Sequence, residues 1–356
     1  MKINIRKLKI TTLAVIALVS SNVYSGNPDR AGQAGASELL IMPYSRSNGW
    51  ALANSSSIRG LEAMYLNVAG TAFTQSTEAM LSYTDWLKGS DININAFGFT
   101  QRVGETGVIG ISVMSMNFGE IDITTVNQPE GGVGAYKPSL LNIGFSYAKA
   151  FSNAIFGGFV VKVIQESIAD LSAEGVALDA GIQYVTGDRD RIKFGIALRN
   201  VGPSMRFDGD GLTVQGSVVG STFDNQLSVQ QRSTSFELPS LLNIGASYDI
   251  FLDDEEKHII VVAGAFTSNS FQKDVFAIGL EYNFNNYLFF RAGYHYEDGI
   301  FKAMPERSTA YTGPAAGLSM QVPLNKEKGS FFSIDYSYRA TNPYAGIHSI
   351  GAKISL

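Results

Sequence analysis

The side chains able to do chemistry are few and scattered along the chain. The three histidines, His258, His295 and His348, each stand alone in or beside a strand-like run, so they do not assemble a metal centre or a catalytic base. Asp208-Gly209-Asp210-Gly211 has the look of a calcium loop but lacks the later ligands and the terminal Glu that complete one, and reads as a turn. Asp253-Asp254-Glu255-Glu256 reads as a solvated hairpin turn. There is no cysteine, which removes thiol nucleophiles, disulfides and cysteine zinc sites together. No glycine-rich phosphate loop or nucleophile elbow is present, and no serine has a recognisable base partner. The chain therefore reads as a non-enzyme that needs neither cofactor nor metal.

What positions these residues is a repeated element. Pro138-Ser139-Leu140-Leu141-Asn142-Ile143-Gly144-Phe145-Ser146-Tyr147 recurs as Pro239-Ser240-Leu241-Leu242-Asn243-Ile244-Gly245-Ala246-Ser247-Tyr248. Large apolar side chains alternate with small or polar ones, the period of a strand with two unlike faces. The same alternation recurs from Thr77 onward in about fourteen runs of roughly 10–13 residues, the length of a tilted strand crossing a bilayer. In one run Leu178, Ala180, Ile182 and Tyr184 oppose Asp179 and Gln183; in the last, Ile350, Ala352 and Ile354 oppose Ser349, Lys353 and Ser355. Counting from the first run, even-numbered connections are short, as at Val103–Thr106 and Asn285-Asn286. The long ones, Asn117–Lys137, Gly202–Leu238 and Glu297–Tyr311, are all odd-numbered. Short turns at one end and long loops at the other are the habit of outer-membrane barrels. The strand-like Val and Thr of Leu212–Gly220 leave the count open by a strand or two.

Composition agrees. Charged residues make up 17% of the 356, against about 25% in ordinary soluble proteins. There are 37 Gly, 22 Phe and 16 Tyr, and the net charge of -5 gives no reason to expect nucleic-acid binding. Residues 1–25 read as a secretory signal: Lys2, Arg6, Lys7 and Lys9 precede an apolar core at Ile10–Val19 that is too short to span a bilayer. Residues 26–76 lack long alternation and are too apolar for a solvated tail, so their expected place is the lumen, as a plug or hatch. Gly35–Met42 is expected to make one strand or helical turn, and Arg59–Gly70 a short helix stopped by Gly70. The expected architecture is thus all-β, a transmembrane antiparallel barrel of residues 77–356 with an N-terminal plug, in a bacterial outer membrane. Both signs of charge are expected in the lumen, on residues such as Lys162, Asp179, Gln183, Arg199 and Arg339, where they bond the plug and one another. Aromatic and Met side chains in the long connections, Phe118, Tyr136, Phe207, Phe223, Phe236, Phe301, Met304 and Tyr311, are candidates either for a membrane girdle or for a partner-binding surface.

The mature chain resembles the PorV/PorQ family of outer-membrane proteins, relatives of the FadL fatty-acid transporters. The likeness is carried by Gly35–Met42, by Asn67-Val68-Ala69-Gly70 where the family usually shows Asn-Pro-Ala-Gly, by Met116-Asn117-Phe118-Gly119-Glu120-Ile121, by Asp170–Gly175 with Gly181–Tyr184, and by the Leu-Asn-Ile-Gly strands. The chain departs from the pattern at Val68 and at Asn48–Ala53, where the family has a run of small residues. The resemblance implies fourteen strands, a plug that includes Asn67, Ala69 and Gly70, and a role in type IX secretion. In that role the chain binds the C-terminal signal domain of secreted cargo and contacts the large translocon pore. It then hands cargo to a surface-attachment complex, the outward loops making the contacts. The alternative is a FadL-like transporter of hydrophobic small molecules, with Phe97, Phe99, Phe156 and Phe331 as candidate inward-facing residues.

Overall fold

The computed structural model describes residues 30, 32–217, 226–303, 307, 309–325 and 329–356. The expected signal region, residues 1–25, lies outside the described residues. Fourteen strands make one closed antiparallel barrel. They are β1 (Thr77–Trp86), β2 (Ile92–Val103), β3 (Gly107–Asn117), β4 (Ser139–Ala150), β5 (Ile155–Ile168), β6 (Leu171–Thr186) and β7 (Ile192–Val201). The second half comprises β8 (Leu241–Phe251), β9 (His258–Asn269), β10 (Val275–Phe284), β11 (Leu288–Glu297), β12 (Tyr311–Asn325), β13 (Ser330–Thr341) and β14 (Ile347–Ser355). Each strand pairs with the next in sequence, and β1 pairs with β14 in the register Glu78↔Ser355 and Tyr83↔Ile350. Closure leaves no edge of unpaired amides, the condition for crossing lipid as a sheet. The strand-like stretch after Leu212 forms a separate ribbon, Thr213–Ser217 with Gln226–Gln230, which keeps it out of the wall. Asn285 and Asn286 both adopt left-handed backbone in the turn between β10 and β11, a conformation that Asn tolerates better than most residues.

Alternation sets which side of the wall each residue faces. Phe145, Tyr147, Ile182, Phe194, Ile278 and Ile350 are 40–60% exposed, while their sequence neighbours Ser146, Gln183, Lys193 and Ser349 are buried. An apolar outer face and a polar inner face invert the arrangement of a soluble protein, and a bilayer is the environment that suits it. Phe97 and Phe99 belong to this outer face, at 45% and 37% exposure, which corrects their expected inward placement. Their even-numbered neighbours in β2, Ala96 and Thr100, are the ones that turn inward and are buried.

The interior is occupied by residues of the segment before β1. Tyr44, Leu61, Ala63 and Ala69 are 0% exposed, and the segment touches wall strands on every side. A ring of wall glycines makes room for it. A Cβ on Gly98 would come within 2.7 Å of Leu61, one on Gly181 within 2.2 Å of Asn67, one on Gly293 within 2.4 Å of the Trp50 backbone, and one on Gly317 within 3.1 Å of Gly49. The segment is built from short turns: 3-10 turns at Ser37–Leu40, Leu61–Tyr65 and Val68–Phe73, and one α-turn at Ser45–Gly49. Arg59–Gly70 is thus not one helix ended by Gly70. Gly70 sits inside the third 3-10 turn, where a Cβ would lie 2.2 Å from the Ile58 carbonyl oxygen. Close packing against the wall fixes this path, and helix propensity does not decide it.

The segment runs from one rim of the barrel to the other. Near its start, Gly35 N–H donates to the Glu237 carbonyl (3.1 Å) on a long connection, and the Arg30 guanidinium lies 4.3 Å from the ring of Phe271 in the β9–β10 connection at the same end. At its end, the Arg102 guanidinium donates to the carbonyls of Ala72 (3.1 Å) and Gln75 (2.7 Å) beside the short turns. The long-loop end is the outer one and the short-turn end the periplasmic one.

Candidate functional site: the outer half of the lumen

A cavity of about 840 Å³ occupies the outer half of the barrel. Its floor is the inner segment, at Ala36, Glu38, Leu40, Ile41, Ala51 and Leu52. Its walls come from strand ends at the outer rim, and they differ in character. On the side of β1, β3 and β4 the lining is apolar: Trp86, Met116, Phe118 and Leu140, with Leu66 beneath. On the side of β7 to β13 it is polar, with Arg199, Asn243, Asn269, His295, Glu297 and Arg339. A concave, part-greasy chamber with convergent polar groups on one wall is the usual form of a small-molecule site. A second cavity, of about 10 Å³, lies deeper between Tyr65 and the wall residues Asn142 and Lys162. The first cavity therefore ends on the inner segment.

The floor is tied to the wall by buried charges. Lys162 on β5 pairs with Asp179 on β6 at 2.5 Å, and Arg199 on β7 lies 3.8 Å from the same carboxylate. Asp179 also accepts from the Asn200 backbone N–H (2.7 Å), and Lys162 donates to the Asn200 side chain (2.8 Å). Arg199 then donates to the Leu39 carbonyl (3.1 Å), so the cluster grips the segment beneath the cavity. Burying charge is costly unless it is paired and bonded, and here every member has a partner. Deeper in, Gln183 donates to the carbonyls of Ser55 (3.3 Å) and Ile58 (3.1 Å). Asn67 donates to Ser55 (3.2 Å) and to the wall carbonyl of Ile182 (3.2 Å), while its own oxygen caps the Ala69 N–H (3.2 Å). Ala69 and Gly70 are buried beside it. Glu38, at the cavity floor, is 3% exposed. Burial first, and the neighbouring Glu166 second, push its carboxyl up to about 7.

The sequence-predicted aromatic residues do not form one surface. Phe118 and Tyr311 line the cavity. Phe207 and Phe236 meet at a tilt, with ring centroids 5.7 Å apart, and pack against the start of the inner segment. Tyr136 pairs with Ile121 in a small ribbon of the β3–β4 connection. Phe301 is 78% exposed, and Phe223 and Met304 lie outside the described residues. Of the four candidate inward phenylalanines, Phe156 meets Phe73 of the segment at 4.1 Å, and Phe331 lies 5.5 Å from the Lys353 ammonium, near the periplasmic end. Trp86 and Leu140 were the lining residues hardest to see in advance, whereas Arg339 was expected in the lumen: a strand end belongs to a cavity only once the barrel is closed around it. Among the described residues no group of three or more His, Asp or Glu side chains is placed to hold a metal ion.

No family model and no curated protein matches this sequence. Solved structures do. The chain is similar to the CymD monoaromatic hydrocarbon channel, at 14% identity and TM-score 0.55, over 89% of this chain and 98% of that one. It is similar to a Pseudomonas aeruginosa FadL homologue, at 10% identity and TM-score 0.52, over 88% and 98%. It is also similar to the P. putida toluene transporter TodX, at 14% identity and TM-score 0.52, over 88% and 97%. At such identities the likeness is one of architecture, and with the apolar outer face it fixes the fold as a FadL-like fourteen-strand barrel of the bacterial outer membrane.

Proposed function

We propose that this chain is a passive outer-membrane channel for small hydrophobic molecules, with the inner segment as its plug. One observation carries the reading: a cavity of about 840 Å³ at the outer end with a continuous apolar wall from Trp86 to Leu140. Such a wall draws apolar solutes out of water at about 25 cal/mol per Å² of surface covered. Hydrocarbon channels and a toluene transporter of the same architecture support it. The protein's part is binding and passage, with no bond made or broken.

The test is uptake of radiolabelled toluene by cells that do or do not make the chain. Uptake should rise with the chain present. Replacing Trp86 and Phe118 together by Ala should cut it about tenfold at low toluene, since each ring removed uncovers some tens of Å² of the solute at about 25 cal/mol per Å². Uptake equal to that of cells lacking the chain would sink the proposal.

A second reading, the type IX secretion adaptor, is favoured by the filled middle of the lumen and by Phe301, 78% exposed on an outward connection. In that reading cargo C-terminal domains, the translocon pore protein and the surface-attachment complex are the partners. A gentle-detergent pull-down that yields a very large outer-membrane protein and proteins sharing a C-terminal β-domain, with no toluene uptake, selects it. Full cargo release after deletion of residues 213–227 counts against it.

A further inference from the structure

One side chain separates the two cavities. Among the described residues Glu38 alone lines both the outer cavity of about 840 Å³ and the cavity of about 10 Å³ beneath it. It is 3% exposed, and its Oε1 has no hydrogen-bond partner. Its carboxyl is hydrogen-bonded to that of Glu166 on β5, itself 7% exposed and also on the lining of the outer cavity. An ionised carboxylate only accepts, so two carboxyls share a hydrogen bond only while one of them carries a proton. Glu166 also accepts from the Ala36 backbone N–H, and the Asn142 side chain on β4 bonds to Glu38.

The charged groups around this pair do not replace that proton. Lys162 on β5 lines the lower cavity but is committed to Asp179 and to the Asn200 side chain. Arg199 on β7 is committed to Asp179 and to the Leu39 carbonyl. Glu38, Glu166 and Asp179 thus face only Lys162 and Arg199, and one proton completes the balance. Tyr65 of the inner segment and Ser112 of β3, which also line the lower cavity, are neutral. His295, Glu297 and Arg339 line the outer cavity from β11 and β13, on its polar wall. The Leu39 carbonyl is held from the barrel wall by Arg199 (3.1 Å) and by Asn200 (3.4 Å). The turn at Ser37–Leu40 therefore keeps its place, and the Glu38 side chain is the part left to move.

We propose that the Glu38–Glu166 pair is a proton-operated partition in the floor of the outer cavity. With the shared proton in place the partition is shut. Without it the two carboxylates repel, and the Glu38 side chain swings up into the outer cavity and joins the two spaces. The proton leaves to solvent through that cavity, which both carboxyls line. Burial first and Glu166 second raise the Glu38 carboxyl to about 7, so the change falls within the range a cell surface meets. The partition is shut below that pH and open above it. It goes beyond the channel reading, because it depends on the floor alone and on nothing the cavity binds.

The experiment is hydrogen peroxide footprinting of the full purified chain in a neutral detergent at pH 5.5 and pH 8.5, read by mass spectrometry at each methionine. Peroxide oxidises the neutral thioether to the sulfoxide and is itself reduced to water. Met64 lines the lower cavity and Met116 the outer one, while Met80 on β1 is 2% exposed and lines neither. The ionised fraction of Glu38 rises about thirtyfold between the two pH values. Oxidation of Met64 relative to Met116 should rise with it, by about tenfold, with Met80 unchanged. Glu38→Gln, which cannot ionise, should keep Met64 slow at both pH values. A Met64 ratio that does not change with pH, an equal rise at Met80, or the same rise in the Glu38→Gln protein overturns the partition. A rise at Met64 in a chain that takes up no toluene would leave the partition standing and remove the channel.

Discussion

At the scale of single residues, the barrel interior is decided by a few charges with no water to fall back on. Asp179 is the clearest case, since it answers both Lys162 and Arg199 and also caps the Asn200 amide. Asp179→Asn leaves two buried cations without their counter-charge. Breaking such a pair costs about 3–5 kcal/mol, so the expected result is a lower urea midpoint with the barrel otherwise native. Glu38 gives a pH dependence of definite sign. Its carboxyl is raised from 4.5 to about 7 in the fold, so the folded form holds a proton that the released form gives up. That contribution is complete below about pH 4.5 and is lost as pH rises through 7. Amide-exchange protection factors at Ser37–Ile41, which divide out the intrinsic base catalysis of exchange, should therefore be larger at pH 5 than at pH 8, and Glu38→Gln should flatten the difference. Much of this was legible beforehand, because alternation places Lys162, Asp179 and Arg199 on the inner face. Which cation answers which anion was not, because pairing depends on strand register and neither sequence spacing nor composition encodes it.

At the scale of elements, the sequence marks all fourteen strands because each carries its own period-2 signal and its own turns. The inner segment has no such signature. Its turns are shaped by the wall, so a reading of Arg59–Gly70 by helix rules finds a helix and the structure holds two 3-10 turns. The glycines of the wall were visible as residues and silent as to purpose. Their role appears only when the segment is seen against them. Gly293→Ala tests it: a Cβ there meets the Trp50 backbone at 2.4 Å, a contact no rotamer can relieve. The barrel should still form and migrate as a compact band before heating, while residues near Trp50 become open to protease. Gly264→Ala should change neither, since its nearest neighbour would be 3.8 Å away.

At the scale of the whole molecule, the proposed channel reading makes an outer cavity above a filled waist a closed state. Passage to the periplasm requires the waist to give way, so loosening the floor should raise flux. Asp179→Asn should therefore increase toluene uptake as it lowers stability, an opposition that a purely structural cluster does not produce. The path of the inner segment bears on how this can happen. Among the described residues it joins the wall at Thr77, on the periplasmic rim, and Thr77 is itself bonded to Leu356 (2.8 Å). The anchor gives the molecule a polarity of traction. A pull from the periplasm can draw the whole segment clear of the bore, whereas a pull from outside leaves a length of chain stretched between the anchor and the outer mouth. A periplasmic partner that tugs on the segment could thus unblock the barrel completely, and one at the cell surface could not.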